Sequence, residues 1–130
     1  MPESQATVRY INRASLGYSH IVEVRGGRML YIAGQLALDQ NGKLVGAGDF
    51  RAQVKQVFEN LKTRLEECGA SFIDVVKLNY YLTDASDLQA LRETRDSYIN
   101  TESPPASTLV VVKQLVREEF LIEVEAIAVS

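Results

Sequence analysis

The sequence predicts an α+β fold: a six-stranded, mostly antiparallel sheet with two helices on one face. Three observations carry that prediction. Runs with strand character open and close the chain, a helical period appears in only two places, and glycine or proline separates the changes of period. Two helices cannot cover both faces of such a sheet, so both are expected on one side. No internal repeat or linker divides the chain, and residues 1–130 are read as a single domain.

Five strands can be located one by one. "HIVEVRGGRMLYIAGQ" reads as two strands joined in a hairpin at Gly26-Gly27, a dipeptide suited to positive φ. Asn41-Gly42 marks a second turn. From Asp49 the period lengthens, with Val54, Val57, Phe58, Leu61, Leu65 and Cys68 forming the apolar stripe of an amphipathic helix. Asp49 is its expected N-cap, Gly69 its C′ residue, and Cys68 a small core side chain. "DVVKLNYYLTD" follows as a strand whose even residues Val76, Leu78, Tyr80 and Leu82 form a continuous apolar face. A second helix is expected behind a capping box of Ser86 and Gln89, with Leu88, Leu91 and Tyr98 as its stripe. "TESPPAS" ends it, and "STLVVV" and "FLIEVEAIAV" complete the sheet.

Composition narrows the function. The chain is 46% apolar and 24% charged, with net charge −3, so no basic field points to nucleic acid. One cysteine and one histidine, His20, leave no disulfide framework and no histidine-based metal centre. No run approaches the ~18 apolar residues of a membrane span, and "MPESQATVRY" lacks the basic-then-apolar pattern of a leader. A cytoplasmic protein working without metal is the expectation. No dinucleotide fingerprint, phosphate loop or nucleophile elbow is present, and His20 is read as a surface or interface residue.

The closing strand poses the chemical question, because Glu123 and Glu125 sit inside its most apolar run. Burying a carboxylate is costly unless it is paired, protonated or hydrogen-bonded. The even residues Ile122, Val124, Ala126 and Ala128 suit the helix-covered side. The odd face, Leu121, Glu123, Glu125, Ile127 and Val129, reads as a subunit interface with polar pockets. Either glutamate could serve as general base or water holder. The alternative is a cross-strand or intersubunit salt bridge with Arg25, Arg28 or Lys113. On the second helix, Arg92 or Arg95 could bind a substrate carboxylate, the alternative being an i,i+4 pair of Arg92 with Asp96.

"YIAGQLALD", "VFENLKTRLEECGASFIDVVKLNYYLTD", "PPASTLVVV" and "LIEVEAIAV" together resemble the Rid family, also called YjgF or reactive intermediate deaminases. The resemblance runs in order over nearly the whole chain. It implies a chorismate-mutase-like trimeric fold, a homotrimer whose open sheet faces line a central interior, and ligand pockets at the subunit interfaces. It also implies hydrolysis of enamine or imine intermediates, such as 2-aminoacrylate, to a 2-oxo acid and ammonia, with no cofactor. Carried over by residue, Glu123 corresponds to the glutamate that positions water, Tyr18 to a pocket tyrosine and Gly34 to a pocket glycine. Tyr81 takes an aromatic position, and Glu125 is expected to be a structural ion-pair partner in the trimer. Ala33 stands where serine is common, Arg92 where asparagine is frequent, and Ser107 where the family's carboxylate-clamping arginine belongs. Serine offers only a neutral contact in place of a charged fork. The resemblance therefore implies a deaminase of altered substrate, with Arg92 as substitute clamp. The alternative is a non-catalytic trimeric small-molecule-binding or regulatory module.

Overall fold

The computed structural model describes residues 6–14 and 17–130; residues 1–5, part of the stretch read for a leader, lie outside the described residues. The strands are β1 (Thr7–Ala14), β2 (Tyr18–Arg25), β3 (Met29–Gln35), β4 (Val75–Leu82), β5 (Ala106–Val111) and β6 (Ile122–Val129). The helices are α1 (Phe50–Glu67) and α2 (Leu88–Asp96), with a 3₁₀ turn at Phe72–Asp74 leading into β4. One six-stranded sheet forms in the order β1-β2-β5-β4-β6-β3. It is mixed rather than mostly antiparallel, because β5 runs parallel to both β2 and β4. The segment β4–α2–β5 is a strand–helix–strand crossover, the connection that parallel neighbours require.

The expected hairpin at Gly26-Gly27 does not form. β2 pairs with β1 and β5, whereas β3 pairs with β6 at the far edge. Both glycines do take positive φ, 69° and 82°, but they serve a crossing rather than a hairpin turn. β2 meets β5 at a single register pair, Ser19↔Ala106, and its other end reaches the start of β3 past the end of β6. Gly27 lies there so closely that a Cβ would stand 2.9 Å from Val129 Cγ1. The true hairpin partner of β2 is β1, a strand too polar and irregular to announce itself; Asn12 interrupts it with φ 56°.

The helix-covered face matches the alternation pattern except at the start of β4, where a register shift between Val75 and Lys77 puts Val75, not Val76, in the core. Val54, Val57, Phe58, Leu61 and Leu65 of α1 are fully buried against Leu78, Leu82, Ile122, Val124 and Ala128. Asp49 caps α1 by accepting from the Ala52 amide, and Gly69 follows with φ 69°. Cys68, expected in the core, is exposed: the helix ends at Glu67, and the non-helical turn at Cys68 swings it off the stripe. The capping box expected at Ser86 and Gln89 is replaced by Asp87, whose carboxylate accepts from the Ala90 amide. Ser86 instead donates its backbone amide to Asp84, and Gln89 reaches Glu93. Tyr98, placed on the α2 stripe by its spacing, lies beyond the helix and stacks on Phe58 at 5.2 Å between ring centroids.

One buried polar side chain ties the core to the closing strand. Gln53 donates to the Gly46 and Glu119 carbonyls and accepts from the Leu121 amide at 2.9 Å. Its amide is thereby satisfied inside the core, and it pins the chain two residues ahead of Glu123. No helix is long and apolar enough to cross a membrane among the described residues.

Candidate functional site

The sheet register divides the candidate residues between two faces. Tyr81 of β4 lies directly across from Glu123 of β6, on the side away from the helices. Ser107 of β5 lies beside Leu78, a fully buried residue of the helix-covered side. Within one chain Glu123 and Tyr81 are therefore on one face, and Ser107 and α2 are on the other.

On the open face, the two glutamates have different surroundings. Glu125 Oε1 accepts from Tyr81 Oη at 2.6 Å and from Asn79 Nδ2 at 3.1 Å. Glu123 forms no side-chain hydrogen bond among the described residues. Its carboxylate is instead lodged against Gly34, where a Cβ would stand 2.7 Å from Glu123 Cδ. The pairing of β3 with β6 slips between Ile32 and Gln35, so Ala33 and Gly34 form an irregularity that brings bare backbone to the acid. Ala33 is exposed, and its carbonyl accepts from Gln35 Nε2. Burial, and secondarily the charge of Glu125, hold the Glu123 carboxyl above its ordinary range.

Within one chain neither glutamate is in an ion pair among the described residues, so the cross-strand form of the expected salt bridge does not occur; its intersubunit form concerns a neighbouring copy. Arg25 lies 3.7 Å from Glu23, and Arg28 donates to the Cys68 carbonyl and Ser130 Oγ. Glu125 is held by neutral donors because the residues across from it and diagonal to it on β4 are Asn79 and Tyr81. Asn79 was not singled out from sequence; an amide beside an aromatic on the odd face of β4 was the available signal.

On the helix side, a cavity of about 180 Å³ opens between α2 and the β4–β5 pair. It brings together Tyr18, Arg92 and Ser107, and adds Tyr80 and Arg95 with an apolar wall of Leu88, Leu91 and Leu109. Arg92 is exposed at its rim and makes no pair with Asp96; that carboxylate is taken by Arg95 at 2.9 Å. His20 is exposed, its ring edge-on to Tyr18 at 5.2 Å. A larger hollow of about 670 Å³ runs beside Gly34 and α1. The amides there are already occupied, with Asn60 donating to the Leu36 and Leu38 carbonyls and Gln56 to Asn60.

Comparison with known proteins agrees with this architecture. The family profile described as Endoribonuclease L-PSP matches residues 11–130. A RutC family protein of Pyrococcus abyssi is 41% identical over 111 residues, 85% of this chain and 84% of that protein. The 3-aminoacrylate deaminase RutC of Acinetobacter baylyi is 30% identical over 109 residues, 84% of this chain and 85% of that protein. A crystal structure of a conserved Rid family protein from Yersinia pestis superposes with a TM-score of 0.85 at 36% identity, covering 98% of this chain and all of that one (100%). The profile's span, the identities and the superposition lead to one assignment: the chain belongs to the Rid (YjgF) family.

Proposed function

We propose that the protein hydrolyses a small imine or enamine to the corresponding carbonyl compound and ammonia, in a pocket assembled between subunits of a homotrimer. The observation that carries this reading is the contrast on β6. Glu125 is engaged by two donors, whereas Glu123 is left without a partner against a glycine and biased towards taking up a proton. That is the condition a general base needs. The 3-aminoacrylate deaminase among its relatives gives the reaction type.

In this reading Glu123 draws a proton from water as the water oxygen bonds to the imine carbon. The C=N electron pair moves to nitrogen, which takes up a proton. The resulting carbinolamine then expels ammonia as its hydroxyl becomes the carbonyl. Tyr18, Ser107 and Arg92 surround the substrate from the helix side, and Gly34, Ala33 and Tyr81 border Glu123. Because the two groups occupy opposite faces of one sheet, the reading requires a neighbouring copy to bring them together. The half-dressed open face supports that requirement: Tyr31 is 74% exposed and Val110, beside Tyr81, 42%.

The test is ammonia and 2-oxo acid release from imines generated in situ. Wild type should accelerate release, and Glu123→Gln should lose about 10²-fold or more of that acceleration. A wild-type rate equal to the uncatalysed rate across short-chain imino acids would overturn the proposal. The substitution of the family's arginine by Ser107 favours a second reading, a binding module without turnover. Thermal stabilisation by compounds recovered unchanged would then be the result.

A further inference from the structure

We infer that Arg95, rather than Arg92 or Ser107, holds the anionic end of a short monocarboxylate in the cavity beneath α2. The inference rests on reading that cavity as one half of the functional site, and it names the charge that the missing family arginine leaves vacant.

Two arginines line the cavity, and they differ in placement. Arg92 is exposed, so a charge–charge contact there is strongly screened by water. The Arg95 side chain is only 11% exposed and packs against Gly17. Gly17 makes the room for it: a Cβ at that position would collide with Nη2 and stand 2.9 Å from Cζ. The next residue is Tyr18, another wall of the same cavity. A cation shielded from water at a fixed position binds an anion far better than one on a mobile exposed stem.

The present partner of Arg95 leaves it able to exchange. Asp96 uses one oxygen, Oδ1, which accepts from Nε and lies 2.9 Å from Nη2 as an ion pair, and its own side chain is 47% exposed. Nη1 makes no hydrogen bond among the described residues. A half-exposed neighbour of this kind contributes little and yields readily to a better-placed carboxylate. A second feature of the cavity points the same way. Tyr80, 3% exposed, also lines it, and its hydroxyl is the one buried side-chain polar atom without a hydrogen-bond partner among the described residues. Burial raises the pKa of that hydroxyl, which keeps it a donor. A carboxylate reaching between Arg95 and Tyr80 would answer a deficiency that native interiors rarely leave open. The remaining wall, Leu88, Leu91 and Leu109, suits a short aliphatic body, and about 180 Å³ admits only a small one.

The experiment measures equilibrium binding of 2-oxobutanoate and of its uncharged amide to the full-length protein by calorimetry, independently of turnover. Wild type should bind the acid about tenfold or more tighter than the amide. Arg95→Gln should abolish that preference, and Arg95→Lys should restore part of it, while Arg92→Gln, at the cavity rim, should weaken acid and amide together and leave the acid's preference standing. Asp96→Asn, at an exposed position that threatens no core contact, should tighten acid binding by removing the competing carboxylate. Equal binding of acid and amide, no binding of either, loss of preference in Arg92→Gln but not in Arg95→Gln, or no gain in Asp96→Asn would each overturn the inference. Arg95-dependent acid binding without imine hydrolysis would defeat the proposed reaction and leave the anion site standing. Hydrolysis that needs Glu123 and ignores Arg95 would do the reverse.

Discussion

The two faces of β6 share one backbone and obey different rules. On the helix side, Ile122, Val124, Ala126 and Ala128 are buried against residues of the same character, and any of several similar side chains would serve there. On the open side, Glu123 and Glu125 stand two residues apart, with their environments set by single atoms on neighbouring strands. Asn79 and Tyr81 engage one acid, and the bare backbone of Gly34 receives the other. The covered face stabilises the fold through area removed from water, which is tolerant of detail. The open face depends on placement, which is not.

The sharpest way to break that comparison is Gly34→Ala. The added methyl would displace the end of a flexible side chain, so the fold should survive with its melting temperature nearly unchanged. Imine hydrolysis should nevertheless fall about 10²-fold, because a base moved by about 1 Å loses its alignment. Unchanged activity in a folded Gly34→Ala protein would show that the close approach to Glu123 has no catalytic purpose.

The next effect belongs to the covered side. Gln53→Leu keeps the volume but leaves the Gly46 carbonyl, the Glu119 carbonyl and the Leu121 amide without their side-chain partner. A loss of about 2–3 kcal/mol in urea unfolding is expected. Because Gln53 pins the entry to β6, activity should drop as well, below what the lost stability explains. A neutral result would mean that water replaces the amide, and that β6 is held by its ladders alone.

These contrasts also explain what could be read in the sequence. The stripe of α1 and the even residues of β4 and β6 were legible because burial imposes a period, and period survives without knowledge of neighbours. Alternation put Glu123 on the open face, but the family motifs did not show how Gly34, Tyr18 and Ser107 are arranged around the sheet. That depends on strand order, and β2 and β3 illustrate the difficulty: they are three residues apart in sequence and four strands apart in the sheet. A Gly-Gly link is as compatible with crossing the end of β6 as with a hairpin. Cys68 and the Ser86 cap were misplaced for a local reason, since helix ends move by a residue or two without disturbing the stripe. Arg95 outranked Arg92 only once Gly17 was seen to make room for its guanidinium. The partners of Glu125 likewise required the antiparallel register.

Tyr81→Phe sharpens the contrast between the acids at smaller cost. It removes the 2.6 Å hydrogen bond to Glu125 and leaves the ring in place, so only a small loss of stability is expected in urea unfolding. Glu125 then keeps only Asn79 and gains freedom to approach Glu123. The Tyr81 hydroxyl, whose pKa is raised first by its bond to Glu125, remains a donor at neutral pH in the wild type. Activity should shift modestly compared with Gly34→Ala. A collapse of activity equal to that of Glu123→Gln would instead assign Tyr81 a direct part in the chemistry.

The smallest effect is a pH dependence, and it tests the environment of Glu123 directly. Burial and the Glu125 charge raise its folded pKa above the ordinary value of 4.5. A carboxyl raised in the folded state favours folding when protonated, so its contribution is complete below the unfolded pKa and lost as pH rises through the folded one. At neutral pH the ionised Glu123 therefore works against folding, and Glu123→Gln, which cannot ionise, should unfold at higher urea than wild type. As pH falls the wild-type carboxyl takes up its proton above the ordinary carboxylate range, and the advantage of the variant should shrink on acidification. Removing the negative neighbour by Glu125→Gln should narrow the same gap from the other side. A gap that stays constant or widens on acidification would place Glu123 in an ordinary solvated setting, and the distinction between the two acids of β6 would reduce to hydrogen bonding alone.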